Sequence, residues 1–175
     1  MKQFETCSPR EADPFINRIG ADWMLLCSSN GEEHNAMTVS WGCIGELWHK
    51  PVAICFIRPQ RHTYGLVEAS DCLALAHLPE GYREALSFCG SHSGRDGNKF
   101  EQAGLTCALT EEGIPYPEEA DSVLICKKLY ADDLREGSFL DDAVIQRNYP
   151  AKDYHRFYVC EILRVLVKKD GASEA

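Results

Sequence analysis

The chain has 175 residues, 45% of them hydrophobic and 26% charged, and a formal net charge of −9. That length suffices for the core of one domain, and the composition is that of an ordinary globular protein. The charge argues against nucleic acid or an anionic membrane surface as a main partner, and the longest apolar run, residues 52–57, is far too short to cross a bilayer.

Residues 1–15 are polar throughout and hold no signal-peptide segment, so a cytoplasmic protein is expected. No repeat, low-complexity tract or linker divides the chain. We expect one domain over residues 1–175, with a core over about 20–168 and peripheral segments at 1–19 and 169–175.

β-branched and aromatic enrichment predicts strands over 23–28, 35–43 and 52–58, with Asn30-Gly31 turning between the first two. A helix over 62–69 follows, then a strand over 72–78. Residues 80–89 read as a helix because Tyr82, Ala85, Leu86 and Cys89 recur at three- and four-residue steps. Pro79 suits its start and Gly90 its end. A third helix is expected over 98–103, with Asp96 as its candidate cap. Strands over 105–109, 122–130 and 156–168 complete the chain with no helix among them, and Glu112-Gly113 marks a turn. Seven strands with three short helices do not form a βαβ series. They fit a mainly antiparallel, Greek-key-like β-barrel with short peripheral helices. No G-x-G-x-x-G follows a strand, so a Rossmann site has no fingerprint here.

Nine cysteines stand at least 12 residues apart, with no C-x-x-C pair, so zinc or iron–sulfur ligation lacks its local scaffold. Cys55, Cys72, Cys107, Cys126 and Cys160 fall in apolar strand-like runs, where they act as small core hydrophobes. An odd count without a secretion signal favours free thiols. Residues 111–142 hold ten acidic side chains against Lys127, Lys128 and Arg135, which reads as a solvated acidic face or as a docking surface for a basic partner.

Three segments carry chemistry. The first is Asn35-Ala36-Met37-Thr38-Val39-Ser40-Trp41-Gly42, a polar strand whose Thr38 and Ser40 share a face. In the second, Arg58, Arg61 and Thr63 lie where a buried strand hands over to a helix, and free backbone N–H groups beside guanidiniums seat a phosphate. The third is the donor-rich loop at residues 90–100, with Ser93, Arg95 and Lys99. His155 lies among aromatic and charged residues before the last strand, as a lid over a planar ligand would. The other five histidines carry no spacing that marks a ligand. Nucleophile elbows, H-E-x-x-H and Walker loops are absent.

Together these segments resemble the flavin reductase-like family of FMN-binding split barrels, most closely its flavoredoxin-like branch. The matching residues are Asn35 to Gly42, the Arg58-Pro59-x-Arg61-x-Thr63 corner, and Phe88-Cys89-Gly90-Ser91-x-Ser93-Gly94-Arg95-Asp96-x-x-Lys99. Cys126 to Tyr130 and Asp153-Tyr154-His155-Arg156 resemble later segments of that branch. The resemblance implies a split β-barrel that dimerises, with FMN near the subunit interface. It implies that Asn35, Met37, Thr38, Val39, Ser40 and Trp41 line the isoalloxazine. Arg58, Arg61 and Thr63 would take the phosphate, with Ser93, Arg95 and Lys99 closing over the phosphate or ring edge. Lys99 near that edge would raise the flavin potential. The implied function is an FMN-dependent oxidoreductase, either a flavin reductase using NADH or NADPH or a flavoredoxin-type carrier serving a basic redox partner. A non-enzymatic FMN-binding or thiol redox-sensing module is the alternative.

Overall fold

A computed structural model describes residues 8–12 and 14–168. The described chain begins with two single-turn helices, α1 (Pro9–Ala12) and α2 (Pro14–Asn17), and a π-helical turn at Arg18–Asp22. It continues through β1 (Met24–Ser29), β2 (His34–Val39), β3 (Gly42–Leu47), β4 (Lys50–Ile57) and α3 (His62–Ala69). Next come β5 (Cys72–His77), α4 (Arg83–Ser91), a 3-10 turn at Gly94–Asp96 and α5 (Lys99–Gln102). A small hairpin of β6 (Cys107–Leu109) and β7 (Pro115–Pro117) leads to β8 (Ser122–Asp133), then α6 (Asp142–Asn148) and β9 (Arg156–Val167).

Among the described residues, seven strands form one antiparallel sheet in the order β2-β1-β5-β8-β9-β4-β3. Its strands alternate between two cores. Leu25, Cys27, Ala74 and Ala76 pack with Leu86, Cys89 and Phe100 beneath α4 and α5. Met24, Leu26, Leu73 and Leu75 point the other way, against Val39, Ile57, Val67, Cys126 and Tyr158. β1 and β5 are therefore covered on both faces, which is why they read as unbroken apolar runs.

Four expectations need correction. The predicted strand over 35–43 is two strands, because Ser40 and Trp41 leave the ladder: β2 pairs with β1, and β3 turns away to pair with β4. Gly90 does not end α4 but lies inside it, against the Thr38 side chain; the helix ends one residue later, with His92 as its cap. Asn98, not Asp96, caps α5, its side chain accepting from the Phe100 N–H at 3.1 Å. Finally, α6 interrupts the terminal strands. It is a two-turn helix capped by Asp141, whose carboxylate accepts from the Ala143 N–H at 2.9 Å.

Of the described cysteines, Cys27, Cys55, Cys89, Cys126 and Cys160 are buried, Cys72 and Cys107 partly so, and Cys43 is exposed. Cys7 lies outside the described residues. No group of described residues is arranged to hold a metal, and no described helix is long and apolar enough to cross a membrane.

Candidate functional site

The turn between β4 and α3 is closed by the Arg61 N–H donating to the Arg58 carbonyl at 3.0 Å, which sends the two guanidiniums in different directions. Arg61 reaches the C-terminal end of α4 and donates to the carbonyls of Gly90 at 2.6 Å and Cys89 at 3.1 Å. The last carbonyls of a helix have no intrahelical donor, and that end carries partial negative charge, so a cation there is doubly favoured. Lys99 performs the same service from below. Its Nζ donates to Cys89 O at 2.7 Å and to Ala36 O at 2.8 Å, the latter on edge strand β2. Only 2% exposed, Lys99 has its pKa pushed down to about 8, chiefly by burial, with Cys89 pulling it upward and the Arg61 cation pushing it further down. Burial also lowers Arg61 from the ordinary guanidinium value.

Asn35 ties the third wall. Its buried side-chain amide donates to Thr63 Oγ1 at 3.0 Å. Gly94 lies so close above that amide that a Cβ would fall 2.4 Å from Asn35 Nδ2. Ser93 caps the 3-10 turn by accepting from the Arg95 N–H at 3.2 Å, which leaves the Arg95 side chain exposed and leaning on Gln60 O at 3.4 Å.

These elements enclose a cleft of about 170 Å³ lined by Gln60, Arg61, His62, Thr63, Ser91, His92, Ser93, Gly94, Arg95 and Lys99. Two arginines, a lysine and three hydroxyls meet there without one carboxylate, in a chain of net charge −9. The donor set fits an anion. A second cleft of about 240 Å³ is lined by Met37, Thr38, Val39, Ser40, Trp41, Phe56, Arg58, Arg61 and His155. Arg61 lines both, so the basic cleft and the flat aromatic one lie side by side. Two larger hollows lie elsewhere among the described residues, and neither is lined by any predicted site residue.

Two predicted placements come out differently. Arg58 lines the aromatic cleft rather than the basic one. It forms an ion pair with Asp153, donates to Asn148 O at 2.9 Å and stands 5.4 Å from the Tyr149 ring centroid. Thr38 and Ser40 do not present paired hydroxyls on one strand face, because Ser40 lies beyond β2 and Thr38 Oγ1 donates to Leu86 O of α4. Lys99 and Thr63 reach the basic cleft as buried members of its floor, their polar atoms engaged by protein partners.

His155 closes the aromatic cleft against Trp41, with ring centroids 4.8 Å apart. Its Nδ1 lies 2.9 Å from the buried Tyr149 hydroxyl. Burial, then the Arg58 cation, push its pKa down to about 4, with Asp153 opposing. Tyr149, Asp153, Gln60 and Phe56 are site neighbours that sequence reading passed over. Only the aromatic density of Tyr149-Pro150-Ala151-Lys152-Asp153-Tyr154 marked that region.

Residues 16–175 match the family model of the flavin reductase like domain. None of the curated protein sequences compared matches the chain. Among solved structures, the FMN-binding protein of Thermus thermophilus with bound p-hydroxybenzaldehyde is 20% identical, with a TM-score of 0.67 over 97% of this chain and 83% of that one. Flavoredoxin of Desulfovibrio vulgaris (Miyazaki F) is 18% identical, with a TM-score of 0.66 over 84% of this chain and 69% of that one. The NADH:FAD oxidoreductase of Streptomyces globisporus C-1027, in complex with NAD and FAD fragments, is 17% identical, with a TM-score of 0.64 over 94% of this chain and 87% of that one. At these identities the likeness is one of fold, and the fold is the split β-barrel.

Proposed function

This chain belongs to the flavin reductase like domain family, and on that premise we propose that it binds FMN across the paired clefts and works as an oxidoreductase. The observation that carries the reading is the carboxylate-free basic cleft joined through Arg61 to an aromatic one. A monophosphate suits the first and a planar ring the second. Bound flavin would supply the redox chemistry, accepting hydride or electrons at N5. The protein's share is to hold and tune it. Arg61, Thr63, Ser93, Arg95 and Lys99 are assigned to the phosphate end. Asn35, Met37, Thr38, Val39, Ser40, Trp41, Arg58 and His155 are assigned to the ring end or its support. The Thermus thermophilus likeness is an FMN-binding protein and the Streptomyces globisporus one is in complex with NAD and FAD fragments, which supports a flavin and a nicotinamide donor.

The electron source separates an NADH- or NADPH-dependent reductase from a flavoredoxin-type carrier. The acidic tract at 111–142 favours a carrier with a basic partner, since charge steering suits brief electron-transfer encounters. The deciding experiment is a visible spectrum of the purified protein, then NADH and NADPH addition without oxygen. A flavin spectrum bleached by either nucleotide identifies the reductase. A flavin that stays oxidised identifies the carrier, and a colourless protein that ignores added FMN removes the proposal. We also propose a homodimer. Edge strand β3 offers it Ile44, Leu47 and, at its tip, Trp48, all exposed.

A further inference from the structure

We propose that Tyr149 is a positioning residue: it donates its phenolic proton to His155 Nδ1 and so fixes the imidazole as the neutral form whose Nε2–H faces the aromatic cleft. Tyr149 is 3% exposed and follows α6, its N–H donating to Ile145 O at 2.8 Å, so the ring enters the site from a fixed backbone. Its hydroxyl and His155 Nδ1 lie 2.9 Å apart, and among the described residues no other hydrogen bond competes for either atom. The ring is wedged between Phe139, Tyr154 and Trp41 at centroid distances of 5.8, 5.0 and 6.5 Å.

The direction of the bond follows from the charges around it. The groups facing this pair are the Arg58 guanidinium, the Asp153 carboxylate and the Tyr154 phenol. Arg58 stands 5.4 Å from the Tyr149 ring centroid. A cation there favours negative charge building on the phenolic oxygen, hence a phenol that donates, and it disfavours a second proton on His155. Asp153 pulls the other way on His155, but its carboxylate is already held by Arg58 and Gln60. With Nδ1 accepting, a neutral imidazole must carry its proton on Nε2. His155 Nε2 makes no hydrogen bond to another described residue, and His155 lines the cleft. The cleft is thus offered one uncharged N–H donor whose ring rests against the tilted Trp41 ring. Such a donor suits a carbonyl or unprotonated ring nitrogen at the edge of a planar heterocycle. That last step rests on the flavin reading, whereas the tautomer does not.

Side-chain ¹⁵N NMR of the apoprotein at pH 7 tests the assignment, with His155→Gln identifying the resonance. Nδ1 should appear unprotonated and Nε2 protonated, and Tyr149→Phe should collapse this into a tautomer mixture while Phe139→Leu preserves it. A protonated Nδ1, an imidazolium, or a tautomer unchanged in Tyr149→Phe would each overturn the proposal. Should Tyr149→Phe fail to fold, the native spectrum alone still decides which nitrogen carries the proton. Adding FMN separates the two readings. A His155 Nε2 shift supports the donor's aim, while tight FMN binding with no shift overturns that aim. An apoprotein with the expected tautomer that binds no flavin leaves Tyr149 in its role and removes the proposed function.

Discussion

Four cations belong to the site, Arg58, Arg61, Arg95 and Lys99, and their partners assign them different work. Arg61 has five N–H donors and gives two to the end of α4, so three remain for a ligand. Lys99 gives its ammonium to two carbonyls, that of Ala36 and that of Cys89, the latter shared with Arg61. Arg61→Ala should therefore weaken FMN binding by about 1.5–3 kcal/mol, roughly 10- to 150-fold, with riboflavin affinity far less affected. Fluorescence titration with both flavins reads this directly, and equal losses for the two would deny Arg61 the phosphate. Lys99→Met should instead destabilise the apoprotein by about 1–3 kcal/mol, because Cys89 O and Ala36 O lose their buried donor. Urea unfolding without flavin measures it. His155 makes the pH prediction. Its folded pKa of about 4 lies below the ordinary 6.5, so the unfolded chain takes up the proton first as pH falls. Its contribution to stability is complete above about 6.5 and is lost toward 4, on the order of 1–3 kcal/mol. Urea midpoints between those pH values should fall more steeply in the native protein than in His155→Gln.

At the scale of elements, the segment from 134 to 155 has no sheet partner and depends on a few side chains. Arg58 is its anchor, joined to Asp153 and to Asn148 O, and Gln60 adds a donor to Asp153 at 2.8 Å. Asp153→Ala should leave the sheet intact but free this segment, so that trypsin cuts after Arg147 or Lys152 well before the barrel is attacked. Unchanged cleavage would mean that the aromatic packing of Phe139, Tyr149 and Tyr154 suffices alone. The segment also shows why it was illegible in the sequence. α6 buries no residue, so it has no apolar stripe, and its only sign is the Asp141 cap. The strands were legible because β1 and β5 bury both faces and are mostly apolar, and because Val123, Leu124, Ile125 and Cys126 give β8 an apolar run. The break at Ser40-Trp41 was not, because nothing in an apolar–polar alternation announces that a strand changes partners. The basic residues of the site could be read from their types. Their division into a ligand-facing arginine and a buried capping lysine depends on where α4 ends relative to β2, which residue types alone do not show.

For the whole molecule, the sheet has two edges and protects them unequally. β2 is covered by α4 and by Lys99, while β3 has no element beyond it and is exposed from Cys43 to Leu47. Exposed apolar edges invite pairing with a second chain. The β3–β4 turn adds a second sign. Trp48 and His49 both sit at positive φ, 55° and 58°, in a two-residue hairpin that Asn-Gly would fill without strain. A left-handed conformation costs a bulky residue about 1–2 kcal/mol, yet it holds Trp48 outward at 54% exposure. Such strain persists where a side chain is needed in that place. Replacing the pair by Asn-Gly should raise the stability of the isolated subunit by roughly 1–3 kcal/mol while weakening self-association. Light scattering should show the native chain near twice its 19.6 kDa mass and the variant shifted toward the monomer at the same concentration. A variant that gains stability and still dimerises fully would move the contact off this hairpin. One that loses stability would mean that Trp48 packs within its own subunit.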